Sequence, residues 1–163
     1  MTQISEKPHT ILFVLLFAAA ITFYSTNLIN ANAFLGSLVS IGTIYYGSLK
    51  LRIENDLFFK DLFRSFNERY DADLNDLINE LRIEPTRILS PTEKNKIIDY
   101  FNLCAEEFLW KKKNRIPKDV WEAWRAGIHQ NLEIHQIREL YAQETDSHKG
   151  RVSYYGLYEE LNR

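Results

Sequence analysis

From Thr10 to Leu49 the chain runs for 40 residues without an Asp, Glu, Lys or Arg. A helix buried in a water-soluble protein seldom goes so far without a charge, which makes hydrocarbon the expected solvent of this segment. One straight helix of that length would reach roughly 60 Å at 1.5 Å per residue. That is about twice the hydrocarbon thickness of a bilayer, so the run is expected to turn. Its only polar interruption is Ser25-Thr26-Asn27-Leu28-Ile29-Asn30-Ala31-Asn32. The expected form is therefore a helical hairpin, with arms over residues 9–26 and 33–49 and a turn at 27–32. Two other readings fit the same run. One is a single span with a buried or interfacial first segment. The other is a secretion signal cleaved at Ala31-Asn32-Ala33, against which the apolar stretch continues past that site.

The flanking cations orient the hairpin. Lys7 precedes the first arm and Lys50 and Arg52 follow the second, while the turn is uncharged. The positive-inside tendency then puts both ends on the cytosolic side. Tyr45 and Tyr46 lie one helical turn before Lys50, at the position where aromatic rings favour the headgroup boundary. In the second arm Gly36, Ser40, Thr43 and Gly47 are spaced four, three and four apart, which lines up four small residues on one stripe. Small residues let helix backbones approach closely in lipid, where no hydrophobic force joins them. The stripe either receives the first arm around Ala18–Ala20 and Thr22, or forms a subunit contact or channel wall with Asn27, Asn30 and Asn32 at its mouth.

Apart from Glu6 and Lys7, every one of the 20 basic and 22 acidic side chains lies from Lys50 onward. The sequence therefore divides into a short tail (1–9), a membrane-embedded segment (10–49) and a cytosolic helical domain (50–163). The near balance of charge excludes a strongly basic nucleic-acid binder as a whole-chain reading. A 45% hydrophobic content excludes disorder. Beyond Leu49 no Pro or Gly interrupts the chain as far as Tyr70, and Phe58, Leu62, Phe66 and Tyr70 repeat every fourth residue, which predicts a continuing helix. Asp71 or Asp73 is expected to cap a short helix ending near Leu81. Ser90-Pro91-Thr92-Glu93 is a capping-box start for a helix to about Lys113. Pro117 opens the next, to about Leu132. A further helix is expected at about 134–144, a loop at 146–150 and a last helix over Ser153–Leu161. No alternating strand pattern occurs, and the expected class is all-α.

Chemistry is sparse. One cysteine, Cys104, sits on the apolar face of its helix and excludes a disulfide framework or a multi-cysteine zinc site. His129 and His135 are six apart and share no helix face. No metal, cofactor or catalytic residue is expected, and the chain reads as a non-enzyme. Ribonucleases of the HEPN superfamily carry Arg, then four to six residues, then His. The nearest instances here are Arg125 to His129, with three between, and Arg138 to His148, with nine. Lys111, Lys112, Lys113, Arg115 and Lys118 place five cations in eight residues. They fit a solvated cluster opposing a helix C-terminal dipole, a contact with anionic lipid headgroups, or a contact with RNA. Trp121, Trp124, Tyr154, Tyr155 and Tyr158 read as packing residues or as part of a contact with another protein.

The stretches Ile98-Asp99-Tyr100-Phe101-Asn102-Leu103-Cys104-Ala105-Glu106-Glu107-Phe108 and Ile116-Pro117-Lys118-Asp119-Val120-Trp121-Glu122-Ala123-Trp124-Arg125-Ala126-Gly127-Ile128 resemble an uncharacterised family of small bacterial membrane-anchored helical proteins. Gln136–Leu140 and Tyr154–Tyr158 are similar to that family's tail. The resemblance spans about residues 97–160 and implies a location, the bacterial cytoplasmic membrane with most of the chain cytosolic, and a fold, but no reaction. In layout alone the chain resembles the membrane accessory proteins of type VI-B CRISPR systems, which implies a homo-oligomeric pore aiding phage defence. The expectations that follow are a self-associating membrane protein that perturbs the bilayer, an inert anchor docking a cytosolic partner protein, or a degenerate HEPN-like RNA-binding or RNA-cleaving protein. Lipid and a second copy of the chain are the expected partners, with nucleic acid the least expected.

Overall fold

The computed structural model describes residues 7–163, with side chains from Thr10 onward except that of Asp73. The expected tail thus falls largely outside the described residues, and so does the side chain of the flanking cation Lys7. The described chain is all-α. Its helices are α1 (Lys7–Ser25), α2 (Ala31–Asp73), α3 (Asn75–Ile83), α4 (Pro91–Lys112), α5 (Lys118–Leu132), α6 (His135–Glu144), α7 (His148–Ser153) and α8 (Leu157–Leu161). Two compact units divide between Leu57 and Phe58, inside α2. Among the described residues, no helix is long and apolar enough to cross a membrane. The spanning part of the hairpin expectation therefore has no support from any one helix. The reason in α2 is composition, since Gly36, Ser37, Ser40, Gly42, Thr43, Tyr45 and Tyr46 dilute its aliphatic residues.

In the first unit α1 and the start of α2 form a hairpin whose turn is built by two asparagines. Asn27 takes a left-handed conformation at φ 57°, which Asn tolerates better than most residues. The Leu28 amide then reaches back to the Phe23 carbonyl (2.9 Å) and the Asn27 amide to that of Tyr24 (3.1 Å), a Schellman closure. Three residues on, Asn30 Oδ1 accepts from the Ala33 amide at 2.9 Å and caps α2. The arms meet through large residues. Phe13 packs on Tyr45 with ring centroids 4.3 Å apart, and Tyr24 stacks on Phe34 at 4.6 Å. Among the described residues of this unit Ala20 is the one that is buried.

The second unit is organised about α4. Ser90 and Glu93 form the expected capping box, with Pro91 in the first turn. One side of the helix buries Ile97, Tyr100, Phe101, Cys104, Ala105 and Phe108. Against it pack α5, α6 and α8, with Phe66 of α2 and Leu77, Ile78 and Leu81 of α3 in the same core. Asn114, at φ 55°, ends α4 as Asn27 ends α1, with the Arg115 amide on the Trp110 carbonyl at 3.0 Å.

Several boundaries differ from those expected. Asp71 and Asp73 belong to α2 rather than capping α3, whose N-cap is Leu74 without a side-chain bond. Segment 146–150 is partly helical, because the Ser147 hydroxyl accepts from the Gly150 amide and starts α7. The expected terminal helix is split at Tyr155 and Gly156, both at positive φ, so Ser153 ends α7 and α8 covers Leu157–Leu161. Gln136, buried on α6, donates from Nε2 to the carbonyls of Pro85 (2.9 Å) and Arg87 (3.1 Å). That side chain fastens the connector between α3 and α4.

Two glycines make opposite predictions. A Cβ on Gly127, within α5, meets nothing within 4 Å, whereas one on Gly150 would stand 2.0 Å from the Glu144 carbonyl oxygen. Gly127→Ala is expected to stabilise the second unit by about 0.5–1 kcal/mol through lower unfolded-chain entropy. Gly150→Ala is expected to destabilise it by about 1–3 kcal/mol through overpacking. Denaturant unfolding of the two variants, followed by circular dichroism, measures both.

Candidate functional site

The small-residue stripe of α2 faces away from α1. Gly36, Ser40 and Thr43 are exposed and Gly47 is half-buried, and a Cβ on Gly36 or Gly47 would meet nothing within 4 Å. The surface toward α1 instead carries Phe34, Leu38, Ile41 and Tyr45, all partly buried. The physical reason is area, since these rings and aliphatic chains remove more apolar surface than a glycine stripe can. Outside the stripe the hairpin exposes Val14, Leu15, Leu28, Val39, Ile44 and Tyr46, each more than half accessible. Tyr46 is 69% exposed, while its neighbour Tyr45 is held on Phe13. Lys50 pairs with Glu54 at 3.8 Å and Arg52 is partly buried.

Hydroxyls on this apolar surface are bonded internally. Those of Thr22, Ser37, Ser40 and Thr43 donate to backbone carbonyls four residues earlier at 2.8–2.9 Å, and those of Ser25 and Ser48 to carbonyls three earlier at 2.9 and 2.7 Å. The Asn27 backbone closes the turn and Asn30 Oδ1 caps α2, while the side chains of Asn27 and Asn32 are exposed.

Of the five cations, Lys111 is partly buried and Lys112, Lys113, Arg115 and Lys118 are exposed. Lys111 Nζ lies 3.2 Å from Glu160 Oε1 and over the rings of Phe108 and Trp121. Lys112 donates to the Tyr155 carbonyl at 3.1 Å. Lys113 lies 4.7 Å from the centre of the Trp110 ring and Arg115 lies 5.5 Å from that of Phe58, distances at which a cation is attracted by the ring. Lys118 pairs with Glu122 at 3.5 Å on the surface. Glu160 also accepts from Trp121 Nε1 at 3.1 Å. Burial works against its charge, but the bonds from Trp121 and Lys111 outweigh that and hold its carboxyl below the usual carboxylate range. The cluster thus ties α8 to α4 and α5.

A second feature had no signal in the sequence. Phe66, Asn67 and Tyr70 of α2, Tyr100, Leu103, Cys104 and Glu107 of α4, and Ala123, Trp124, Gly127, Ile128 and Asn131 of α5 line a half-open cavity of about 190 Å³. Asn131 donates to the Tyr100 hydroxyl at 2.9 Å and accepts from Arg82, so both ends of its amide are used. Among the described residues no hydrogen bond or ion pair reaches the Glu107 carboxyl. Arg69, the nearest cation that bears on it, is paired with Glu106. Burial pushes Glu107 up to about 8, with Arg69 opposing and Glu106 adding to the rise. Burial likewise raises Cys104 and Tyr100 well above their ordinary values, which leaves a protonated thiol and phenol beside it.

His129 is exposed, and His135 pairs with Glu139 at 3.3 Å. Among the described residues no cluster of three His, Cys, Asp or Glu side chains could hold a metal ion. Comparison with protein families, curated proteins and solved structures finds no match.

The two carboxyls predict opposite pH dependences. Glu160, held low in the fold, contributes stability above about pH 4.5 that is lost as pH falls through its folded value. Glu160→Gln should therefore unfold at lower temperature than the parent at pH 7, and the difference should shrink as pH falls below about 4.5. Glu107, held high, imposes no cost below about pH 4.5, and its cost grows as pH rises through about 8. Glu107→Gln should match the parent at pH 4 and melt at higher temperature at pH 9. Thermal melts across pH 3–9 check both signs.

Proposed function

We propose that the chain is a small membrane-inserted protein whose hairpin self-associates through the Gly36, Ser40 and Thr43 face and, as an oligomer, perturbs the bilayer. The observation that carries this reading is the hairpin's exposed surface, which is charge-free from Thr10 to Leu49 and has its small-residue stripe uncovered. Apolar patches of that extent are rare on soluble monomers and mark contacts with protein or lipid. Open glycine and serine positions suit close backbone approach by a second copy in lipid. Internal bonding of the hydroxyls suits the same solvent, where an unpaired polar group is costly. Insertion as a hairpin from one side asks no single helix to cross, and both flanks then remain with Lys7, Lys50 and Arg52 on the cytosolic face. In this reading the second unit is cytosolic and the membrane is the bacterial cytoplasmic one. A role in phage defence rests on the layout resemblance alone.

One observation favours a quieter role. The stripe's hydroxyls, those of Ser40 and Thr43, are spent on their own helix, so the stripe itself offers little polar surface to line a water path. A self-associating anchor that docks a cytosolic protein through the second unit is therefore the second reading.

Membrane potential in bacteria expressing the full chain separates the two. Depolarisation is expected from the parent and a loss of at least tenfold from Gly36→Leu/Ser40→Leu at matched membrane content. A parent that sediments with membranes, crosslinks to itself and leaves the potential intact, with or without phage challenge, establishes the anchor. A parent that stays in the soluble fraction removes the membrane reading altogether.

A further inference from the structure

We infer that the cavity between α2, α4 and α5 in the second unit is a binding site for a small organic cation, an ammonium group on a compact apolar body, with the Glu107 carboxylate as its counter-ion. The inference stands apart from the membrane reading, since every wall residue lies in the second unit.

Three features of the cavity point to this chemistry. First, four aromatic side chains, Phe66, Tyr70, Tyr100 and Trp124, contribute to its wall. Aromatic rings carry negative π faces, which repel a carboxylate and attract a cation. Second, Glu107 stands among them without a partner, while its neighbour Glu106 takes Arg69. That carboxyl is partly buried with its oxygens in reach of water, and a cation in the cavity gives its ionised form a partner. Third, the polar groups around it are committed or neutral. Asn131 is bonded at both ends of its amide, and Cys104 and Tyr100 are held protonated by burial. No positive side chain lines the wall. An anion would find no donor of charge there, and an uncharged apolar molecule would leave Glu107 as it is. Gly127 widens the space, because no side chain projects from that point of α5. At about 190 Å³ the cavity is below the usual range for drug-sized ligands, which limits the occupant to one ring or a short branched chain.

Binding is coupled to protons. An occupying cation favours ionised Glu107, so at pH 7 it displaces a proton, and affinity should rise as pH passes through about 8. The titratable and charged groups that bear on Glu107 are Arg69 and Tyr70 from α2 and Tyr100, Cys104 and Glu106 from α4, while α5 adds none to the wall.

The test is calorimetric titration of the purified full chain with benzyltrimethylammonium, whose charge does not change with pH, and with neutral benzyl alcohol. The expected result is saturable binding of the cation, at least tenfold tighter at pH 9 than at pH 6. Benzyl alcohol should bind at least tenfold more weakly at pH 9. Glu107→Gln should lose both the affinity at pH 9 and its pH dependence. Glu107→Asp, which keeps the charge on a shorter stem, should retain the pH dependence, so that a loss in the first variant is not a folding defect. No saturable binding of the cation at millimolar concentration overturns the proposal. Equal binding of benzyl alcohol, or unchanged cation binding by Glu107→Gln, overturns it as well.

Discussion

The buried side of α4 is the constraint from which the second unit follows. Ile97, Tyr100, Phe101, Cys104, Ala105 and Phe108 lie on a helix too long to hide itself, and a helix with so broad an apolar face must be covered on more than one flank. Coverage comes from α5, α6 and α8 and from Phe66 and α3. Each covering helix brings polar groups that must then find partners. Glu160 meets Trp121 and Lys111, Asn131 meets Tyr100 and Arg82, and Gln136 takes the carbonyls of the α3–α4 connector. The settlement is incomplete at Gln136 Oε1 and the Tyr141 hydroxyl, which are buried without a partner. Glu107 is a different case, partly buried, with its carboxyl in reach of water beside the cavity.

What could be read from the sequence was local. The capping box of α4 is contained in four consecutive residues, so Ser90 and Glu93 announce it without reference to anything distant. The same holds for the asparagine turn, because Asn27 turns the backbone in place and Asn30 caps an amide three residues away. Pairings with distant partners carry no such local signal. In the five-cation run Lys111 meets Glu160 of α8, 49 residues on, while the other four cations are exposed. Glu106 and Glu107 are indistinguishable as letters, and only Arg69, 37 residues earlier, separates a paired surface acid from an unpaired one in a cavity. The terminal helix failed for a local reason. Gly156 takes a left-handed conformation, and glycine at a helix end does so readily, so a boundary there was available and the periodic tyrosines obscured it.

The hairpin teaches a related point about periodicity. A four-three-four spacing of small residues and one of large residues both run along α2, and spacing alone does not say which one the partner helix takes. Phe34, Leu38, Ile41 and Tyr45 face α1 because Phe13 and Tyr24 supply rings that fit them. The glycine and serine face is left over, and what is left over defines the surface available to anything else.

The hydroxyl groups of the hairpin have a consequence for how such a segment changes surroundings. Each of Thr22, Ser25, Ser37, Ser40, Thr43 and Ser48 already spends its proton on a carbonyl of its own helix. Leaving water therefore strands none of those donors, and entering it rescues none. For these six residues a passage between aqueous and oily phases leaves the internal bonding unchanged. They act as passengers in partitioning, and the polar cost of transfer falls instead on exposed groups outside that set, such as Asn32 and Tyr46.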